Sequence, residues 1–496
     1  MGAGVAALAL LPLGFIAVYT VTVGPDEARE LLLRPRVGEL LVNTVRLVVA
    51  GIALSVMLGL GCAWLVERTR VPFGRVWHLL LVAPLAVPAF VNSYGWVSLT
   101  PRVEGFAGAV LIVTLSYFPL VYLPVSASLR GLDPALEEAS YSLDHSRWWT
   151  FCRVVLPQLR PALLGGSLLV GLHLLAEFGA LQMLRFPTFT TAIYDQYRSS
   201  FNGPAATMLA SVLVACCVLL LYAELRLRGR RRYARVGAGV PRSVPRHELG
   251  RLNLLAVPAL AGLVALALGV PLSSLARWLV VGSSTAFPMD ELTAAASTSL
   301  TLGGAAAALT VLLALPVAWL AVRQRDLVST VIERSTYVAS SLPGIVVALA
   351  LVTVSINVAQ PIYQTFVLLL LAYAIMFLPR AVVIVRAGLE QAPPMLEDVS
   401  HSLGVGPLAT ARRVTLPLLL PSMGAGAALV FLAVTTELTA TLLLAPIETT
   451  TLATRFWSHS SAASYGAAAP YALLMILISL PATYLLSRRP TEPVAS

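Results

Sequence analysis

Long apolar runs separated by short polar segments extend along the whole chain. A helix needs about 20 apolar residues to cross the hydrocarbon core of a bilayer. Six runs of this length precede residue 229 and six follow residue 250. The pattern therefore predicts an all-α polytopic membrane protein with about twelve transmembrane helices. The predicted crossings lie at about 3–23, 41–66, 76–99, 105–128, 162–184, 205–225, 252–281, 297–322, 331–356, 360–386, 419–444 and 467–487.

Two polar islands interrupt this pattern, at residues 136–161 and 396–421, and they match each other without a gap at a shift of 260. A long self-match of this kind indicates an internal repeat. Because each half has an even number of crossings, both halves enter the membrane from the same side, and the repeats are parallel. The matching pairs include Leu136/Leu396, Glu137/Glu397, Ser140/Ser400, Ser142/Ser402, Leu143/Leu403, Arg153/Arg413, Val154/Val414, Leu156/Leu416, Pro157/Pro417 and Pro161/Pro421.

The repeat divides the chain into a first six-helix half, residues 1–228, and a second, residues 251–496. A segment rich in Arg, Gly and Pro, residues 229–250, joins them. Basic residues concentrate in cytoplasmic loops of membrane proteins. The arginine distribution therefore predicts cytoplasmic termini, cytoplasmic polar islands, and a cytoplasmic linker held at anionic lipid headgroups rather than a nucleic-acid-binding arm.

Composition agrees with a membrane protein and narrows the chemistry. The chain is 58% hydrophobic and 12% charged, against roughly 25% charged residues in soluble domains. All 34 basic residues are arginines, which excludes a nucleotide-binding P-loop, since that motif requires a lysine. We find no protease or hydrolase motif and no His, Asp, Glu or Cys set with metal-ligand spacing, so we predict neither catalytic residues nor a metal site.

Both islands resemble the signature of permease subunits of binding-protein-dependent ABC importers: Glu-Ala-Ala, three residues, Gly, nine residues, Ile, one residue, Leu-Pro. The first island has Glu138-Ala139-Ser140 and Asp144 in the glycine place; the second has Asp398-Val399-Ser400 and Gly404. Aspartate is one of the few residues that adopt the left-handed conformation, so a tight turn is expected at Asp144 as well as at Gly404.

This resemblance implies a type I transmembrane fold in a bacterial cytoplasmic membrane, with each island (within 130–161 and 390–421) acting as a coupling loop for a cytoplasmic ATPase. Two loops imply two ATPase copies, which bind the ATP and Mg, so no cofactor is expected on this chain. A periplasmic or lipid-anchored binding protein would deliver the solute. The implied coupling residues are Glu137, Glu138, Ala139, Ser140, Leu143, Asp144, Glu397, Asp398, Ser400, Leu403 and Gly404.

A narrower resemblance covers nearly the whole chain. Fused two-half permeases of ferric-iron importers carry stretches similar to residues 84–91, 175–182, 186–197, 436–444, 451–458 and 465–474. Ferric iron, moved by alternating access, is therefore the expected substrate. Fused permeases for thiamine, aminoethylphosphonate and other small solutes share the architecture and remain alternatives.

Two acidic residues lie within predicted crossings, Glu177 and its repeat counterpart Glu437. Intramembrane charges are costly and usually face protein or water. The pair would either form an anionic ring along a cation path or tie neighbouring helices together. His173 lies four residues before Glu177 on the same helical face, and it has either a role in transport or a role in packing. An ion-coupled secondary transporter is disfavoured, since such proteins usually have inverted repeats.

Overall fold

The computed structural model describes residues 2–23, 29–30, 32–200, 202–228, 248, 253–282, 284–324, 326–339 and 342–487. All regular structure in these ranges is helical, without a β-strand. This confirms the predicted all-α class. The predicted linker, residues 229–250, lies outside the described residues apart from Glu248.

The helices of the first half follow the predicted apolar runs. They are α1 (Gly2–Val23), α2 (Pro35–Arg68), α3 (Gly74–Val82), α4 (Ala89–Val97), α5 (Phe106–Tyr117), α6 (Pro119–Gly131), α7 (Ala135–Ser142), α8 (Arg147–Thr150), α9 (Leu156–Ala176), α10 (Gly179–Met183), α11 (Phe189–Arg198) and α12 (Gly203–Arg228). A π-helical turn, Phe151–Val155, joins α8 to α9.

The second half repeats this order. Its helices are α13 (Asn253–Val264), α14 (Val270–Val281), α15 (Met289–Trp319), α16 (Leu327–Ala339), α17 (Gly344–Val358), α18 (Phe366–Gln391), α19 (Pro394–Ser402), α20 (Pro407–Thr410), α21 (Leu416–Thr435), α22 (Thr439–Leu444), α23 (Leu452–Ser461) and α24 (Tyr465–Ser487). A π-helical turn, Ala411–Thr415, again joins the polar island to the following crossing.

Ten stretches of the described chain are long and apolar enough to cross a membrane, and eleven are if the bent pair α3 and α4 counts as one span. The sequence predicts about twelve. The difference falls at the predicted crossings 76–99 and 331–356, each of which the structure divides into two shorter helices.

Proline causes both of these divisions. Pro88 precedes α4 and Pro343 precedes α17, each with an extended backbone (ψ 144°). A proline has no N–H for the ladder of a continuing helix, but it suits a position just before a new one. Helices α3 and α4, with the short 3₁₀ turn that extends α3, consequently meet at 90°.

The described chain forms two compact units, and neither is continuous in sequence. One comprises Met1–Arg34, Ile193–Val214 and Ser284–Ala482; the other comprises Pro35–Ala192, Ala215–Ser283 and Thr483–Ser496. Helix α1 therefore packs with helices of the second half, chiefly α16 and α17, while α14 packs on α4 of the first half. The predicted boundaries at 228 and 251 describe the sequence repeat; the compact units exchange helices across them.

Small residues allow the closest helix contacts in the unit that contains most of the first half. A Cβ built on Gly59 of α2 would lie 2.8 Å from Val121 Cβ, and one on Gly166 of α9 would lie 2.9 Å from Val121 Cα. Small residues let transmembrane helices approach to backbone contact. Helix α6 is held between α2 and α9 in this way, and α6 leads directly into the first polar island.

Candidate functional sites: two polar islands and two glutamates at helix breaks

The first polar island folds into a short helix, a tight turn and a second short helix. Helix α7 ends at Ser142, and the backbone then turns at Asp144, whose φ is 59°. The Ser146 hydroxyl accepts a hydrogen bond from the Trp149 N–H at 3.2 Å and so caps α8. Asp144 thus adopts the left-handed conformation, which aspartate tolerates better than most residues.

The second island repeats this backbone. Helix α19 ends at Ser402, and Gly404 adopts a φ of 78°. Asp144 and Gly404 thus have the same backbone conformation at the same point of the repeat. Glycine adopts this conformation without steric cost because it has no Cβ, whereas the Cβ of aspartate is strained there. The replacement of the signature glycine by Asp144 therefore leaves the turn geometry intact.

A hydroxyl pair closes the inner face of each island. Ser140 Oγ lies 2.8 Å from Thr150 Oγ1, and Ser400 Oγ lies 2.8 Å from Thr410 Oγ1. All four residues are buried. Each bond ties the first short helix to the second, so each island is a small preformed unit. Sequence reasoning selected the serines but missed the threonines, although Thr150 and Thr410 also match at the shift of 260.

A buried ion pair ties the first island to a membrane helix. Arg68 Nη2, at the end of α2, lies 2.8 Å from Glu137 Oε1 on α7, and the two side chains are 1% and 7% exposed. The guanidinium also lies 6.0 Å from the centre of the Trp64 ring, within range of a cation–π interaction. Burial, and then the negative charge of Glu137, raises the pKa of Tyr141 on the same helix.

The second island has the equivalent ion pair. Arg323 donates a hydrogen bond to Glu397 Oε1 at 2.9 Å and lies 5.9 Å from the Trp319 ring centre. Glu397 also accepts a hydrogen bond from Thr415 Oγ1 at 3.3 Å. The side chains of Arg323 and Glu397 are 15% and 14% exposed, so this ion pair is more accessible than the first. The sequence matched the two glutamates but could not show that each of them meets an arginine.

The outer faces of the islands are acidic and apolar. Glu138 and Asp398 are exposed, as are Leu143 and Leu403 at 70% and 76%. The candidate coupling residues therefore divide into an inner group (Glu137, Ser140, Glu397, Ser400) that holds the island and an outer group (Glu138, Ala139, Leu143, Asp144, Asp398, Leu403, Gly404) that faces solvent. Further exposed apolar side chains on the islands are Trp148, Trp149, Met395, Val399 and Leu408.

The two glutamates that the sequence predicts to lie within the membrane occupy helix breaks. Glu177 follows α9, and its Oε1 accepts a hydrogen bond from the Ala180 N–H at 2.9 Å. Glu437 follows α21, and its Oε1 accepts one from the Ala440 N–H at 2.8 Å. A carboxylate at this position satisfies a free N–H of the next helix and favours its dipole. Each glutamate thus stabilises the start of a short helix, α10 or α22.

The surroundings of the two glutamates differ. Tyr117 Oη donates a short hydrogen bond to Glu177 Oε2, and the His173 ring packs against Tyr117 with centroids 5.3 Å apart. The counterparts of Tyr117 and His173 in the second half are Phe377 and Ala433. There the Glu437 carboxylate interacts electrostatically with Arg380 instead. Within the described ranges no group of three or more His, Cys, Asp or Glu side chains converges.

Comparison with known proteins agrees with this architecture. The family of binding-protein-dependent transport system inner membrane components matches the chain twice, over residues 51–232 and 311–488. The chain belongs to that family, and each match contains one of the two islands. With its apolar helices it is a multi-pass inner-membrane component of a transport system.

Individual relatives extend over one or both halves. The Fe(3+)-transport system permease protein FbpB 2 of Haemophilus influenzae is 43% identical over 96% of this chain and 95% of its own length. The ferric transport system permease protein FbpB of Actinobacillus pleuropneumoniae is 22% identical over 92% of this chain and 72% of its own length. The sulfate transport system permease protein CysT of Escherichia coli is 29% identical over 45% of this chain and 87% of its own length. These relatives are transport permeases, not enzymes.

Proposed function

We propose that this chain is the permease of an ATP-driven importer of ferric iron. The observation that carries the proposal is the 43% identity to a ferric-iron permease over nearly the full length of both chains. The match spans both halves, so it includes both islands and both glutamates. ATP hydrolysis belongs to a separate subunit in this proposal, because the chain has no lysine for a P-loop.

The outer faces of the islands are proposed to dock two copies of an ATPase that binds the ATP and Mg. Two equivalent surfaces, built on the same backbone, suit two copies of one partner. Their combination of exposed leucines with Glu138 or Asp398 suits a groove with apolar walls and a basic rim. With this side in the cytoplasm, as the arginine distribution favours, both termini are cytoplasmic and a periplasmic or lipid-anchored binding protein delivers the solute at the other face.

The buried ion pairs are proposed to transmit movement. When ATP brings the ATPase copies together, the docked islands move with them. Glu137 then pulls on Arg68 and so on α2, while Glu397 pulls on Arg323, which lies in the π-helical turn Leu320–Gln324 after α15. A closely packed, buried contact transmits displacement because it cannot deform continuously. Alternating access follows if these helices control which side of the membrane reaches the substrate.

The docking proposal is tested by charge reversal. We expect Glu138→Arg combined with Asp398→Arg to abolish copurification of the ATPase and to stop uptake, because both docking surfaces change sign. Glu39→Arg, at the far end of α2 and also exposed, is the matched control and should behave as wild type. If the double variant still copurifies with its ATPase and transports normally, the coupling assignment is wrong.

The substrate proposal is tested by uptake of radiolabelled ferric iron in iron-starved cells with and without the gene. Loss of iron uptake alone, restored by the gene on a plasmid, supports ferric iron. Labelled thiamine, phosphonate and sulfate are measured in parallel, because permeases for other solutes share this architecture. If iron uptake is unchanged and uptake of one of the other labelled solutes is lost, the protein is still an importer, but ferric iron is excluded as its substrate.

A further inference from the structure

The two halves share a repeated glutamate but surround it with different chemistry. We propose that Tyr117, His173 and Glu177 form a transient binding site for the ferric ion as it passes through the membrane. This inference rests on the proposed function, and it places the metal contact in the first half alone.

The three side chains form one connected group. Tyr117 lies at the end of α5, His173 lies on the last turn of α9, and Glu177 follows α9 directly. The Tyr117 hydroxyl contacts the Glu177 carboxylate, and the His173 ring packs against the Tyr117 ring with centroids 5.3 Å apart at 51°. All three are only partly buried within the chain. The proposed site requires that their accessible sides face the path of the ion.

Backbone contacts hold two of these side chains in place. Glu177 Oε1 accepts the Ala180 N–H, which directs Oε2 toward Tyr117. His173 Nδ1 lies 2.8 Å from the Leu169 carbonyl oxygen, a contact in which Nδ1 donates. An imidazole that donates through Nδ1 binds a metal through Nε2, and such a fixed tautomer is typical of metal-binding histidines. Backbone contacts thus hold the Glu177 carboxylate and the His173 ring in place without a metal.

The donor types suit ferric iron. Carboxylate and imidazole are common iron ligands, and tyrosine oxygen also binds iron in proteins. The group offers two oxygens and one nitrogen, too few to hold the ion permanently. A passing ion must bind well enough to enter a site and weakly enough to leave it. Three ligands completed by water fit that requirement better than a closed cage does.

The second half acts as an internal comparison. At the places of Tyr117 and His173 it has Phe377 and Ala433, neither of which can bind a metal. Where the first half has Leu120, it has Arg380, whose guanidinium interacts with Glu437. A nearby guanidinium neutralises a carboxylate and repels a cation. The sequence left open an anionic ring formed by Glu177 and Glu437. In such a ring Glu437 would attract a cation less strongly than Glu177 does.

The experiment uses substitutions that convert the first half to the second. Tyr117→Phe and His173→Ala introduce the residues that the second half already has. The control is Tyr373→Phe on α18, which likewise removes one tyrosine hydroxyl, here hydrogen-bonded with Thr441 (2.7 Å). Each protein is assembled with its ATPase and binding protein in liposomes, and uptake of labelled ferric iron and ATP hydrolysis are measured together.

We expect Tyr117→Phe with His173→Ala to lower the initial rate of iron uptake by about tenfold or more, the scale on which loss of metal-site partners acts. Binding-protein-stimulated ATP hydrolysis should stay at the wild-type level, because the coupling islands are unchanged. Tyr373→Phe should leave both rates unchanged. A purely structural role for Tyr117 would reduce transport and ATP hydrolysis together and would overturn the proposal.

A spectroscopic measurement tests the contact directly. A ferric ion bound here replaces the phenol proton of Tyr117, which passes to solvent, and the hydrogen bond to Glu177 opens. Ferric nitrilotriacetate added to the wild-type complex should then give a visible phenolate-to-iron charge-transfer band that Tyr117→Phe removes and Tyr373→Phe retains. Persistence of the band in Tyr117→Phe, or wild-type uptake by the double variant, would contradict the site while leaving the ferric-iron proposal intact. If the wild-type protein transports no iron, the proposed substrate fails first, and the site fails with it.

Discussion

At the scale of single residues, the two islands differ in how their ion pairs are satisfied. The buried Nε and Nη1 of Arg68 have no hydrogen-bond partner among the described residues, so the ion pair with Glu137 is its main compensation. Arg323 in the second half also donates to the Ala392 carbonyl oxygen at 3.3 Å. Removing one member of a buried ion pair is costly because the other charge stays buried.

We therefore expect Glu137→Gln to destabilise the protein by about 3–5 kcal/mol and Glu397→Gln by less, because the second pair is more exposed and shares other partners. Thermal unfolding in detergent, followed by the fraction remaining in solution, measures both. Arg68→Met combined with Glu137→Leu removes both charges and should recover part of the loss. Equal destabilisation by Glu137→Gln and Glu397→Gln would argue against this account.

The turn residues offer a second comparison. A left-handed conformation costs a non-glycine residue about 1–2 kcal/mol, and Asp144 has a φ of 59°. Asp144→Gly should therefore keep or slightly raise stability, whereas Gly404→Val should lower stability by about 1–2 kcal/mol and weaken ATPase association. Gly131→Ala, with no atom near its added Cβ, is the control. Loss of ATPase association in Asp144→Gly would indicate that the Asp144 side chain itself binds the partner.

At the scale of secondary-structure elements, broken helices recur at equivalent places in both halves. Pro88 and Pro343 end one helix and begin another, and Glu177 and Glu437 cap the short helices after α9 and α21. The helices that start at these breaks pack together, α4 with α10 and α17 with α22. The breaks thus create a paired motif in each half, which a hydropathy profile merges into continuous crossings.

The contact between α4 and α14 can be tested with one methyl group. A Cβ on Gly95 would lie 2.5 Å from the backbone Cα of Pro271, and overpacking of this kind typically costs about 1–3 kcal/mol. Gly95→Ala should therefore reduce thermal stability. Gly61→Ala on α2, where no atom lies within 4 Å of the new Cβ, should be neutral or stabilising. Equal behaviour of the two variants would contradict the close approach of α14 to α4.

At the scale of the whole molecule, each compact unit needs helices from both halves of the sequence. The unit containing most of the second half includes α1, and the unit containing most of the first half includes α13 and α14. A half expressed alone would leave apolar helix surfaces without their partners. Because the two halves are fused in one chain, the helices of both halves are always present in equal amounts.

Expressing the chain as two fragments, divided within residues 229–250, tests whether each half needs the other to fold. We expect each half alone to be degraded or to aggregate, and the two halves expressed together to copurify and restore uptake. Removal of α1 from the first fragment should abolish copurification more strongly than removal of residues 488–496 from the second fragment. Independent folding of either half, shown by protease resistance, would count against exchanged helices.

The sequence by itself determined the features that depend on local pattern. Hydropathy identified the crossings, because burial in hydrocarbon requires long apolar runs whatever their neighbours are. The self-match identified two repeated halves and two islands, and the motif predicted a turn at Asp144 and at Gly404. The spacing of the islands was enough to predict the family, which the comparisons confirm.

Only the tertiary structure decided which distant residues meet. Glu137 and Glu138 are adjacent and equally acidic in sequence, yet one pairs with Arg68 inside the protein and the other faces solvent. Tyr117 joins Glu177 across 60 positions of the chain, and α1 packs with the opposite half. Local hydropathy carries no information about such contacts, because helix packing depends on the shape and rotation of both surfaces at once.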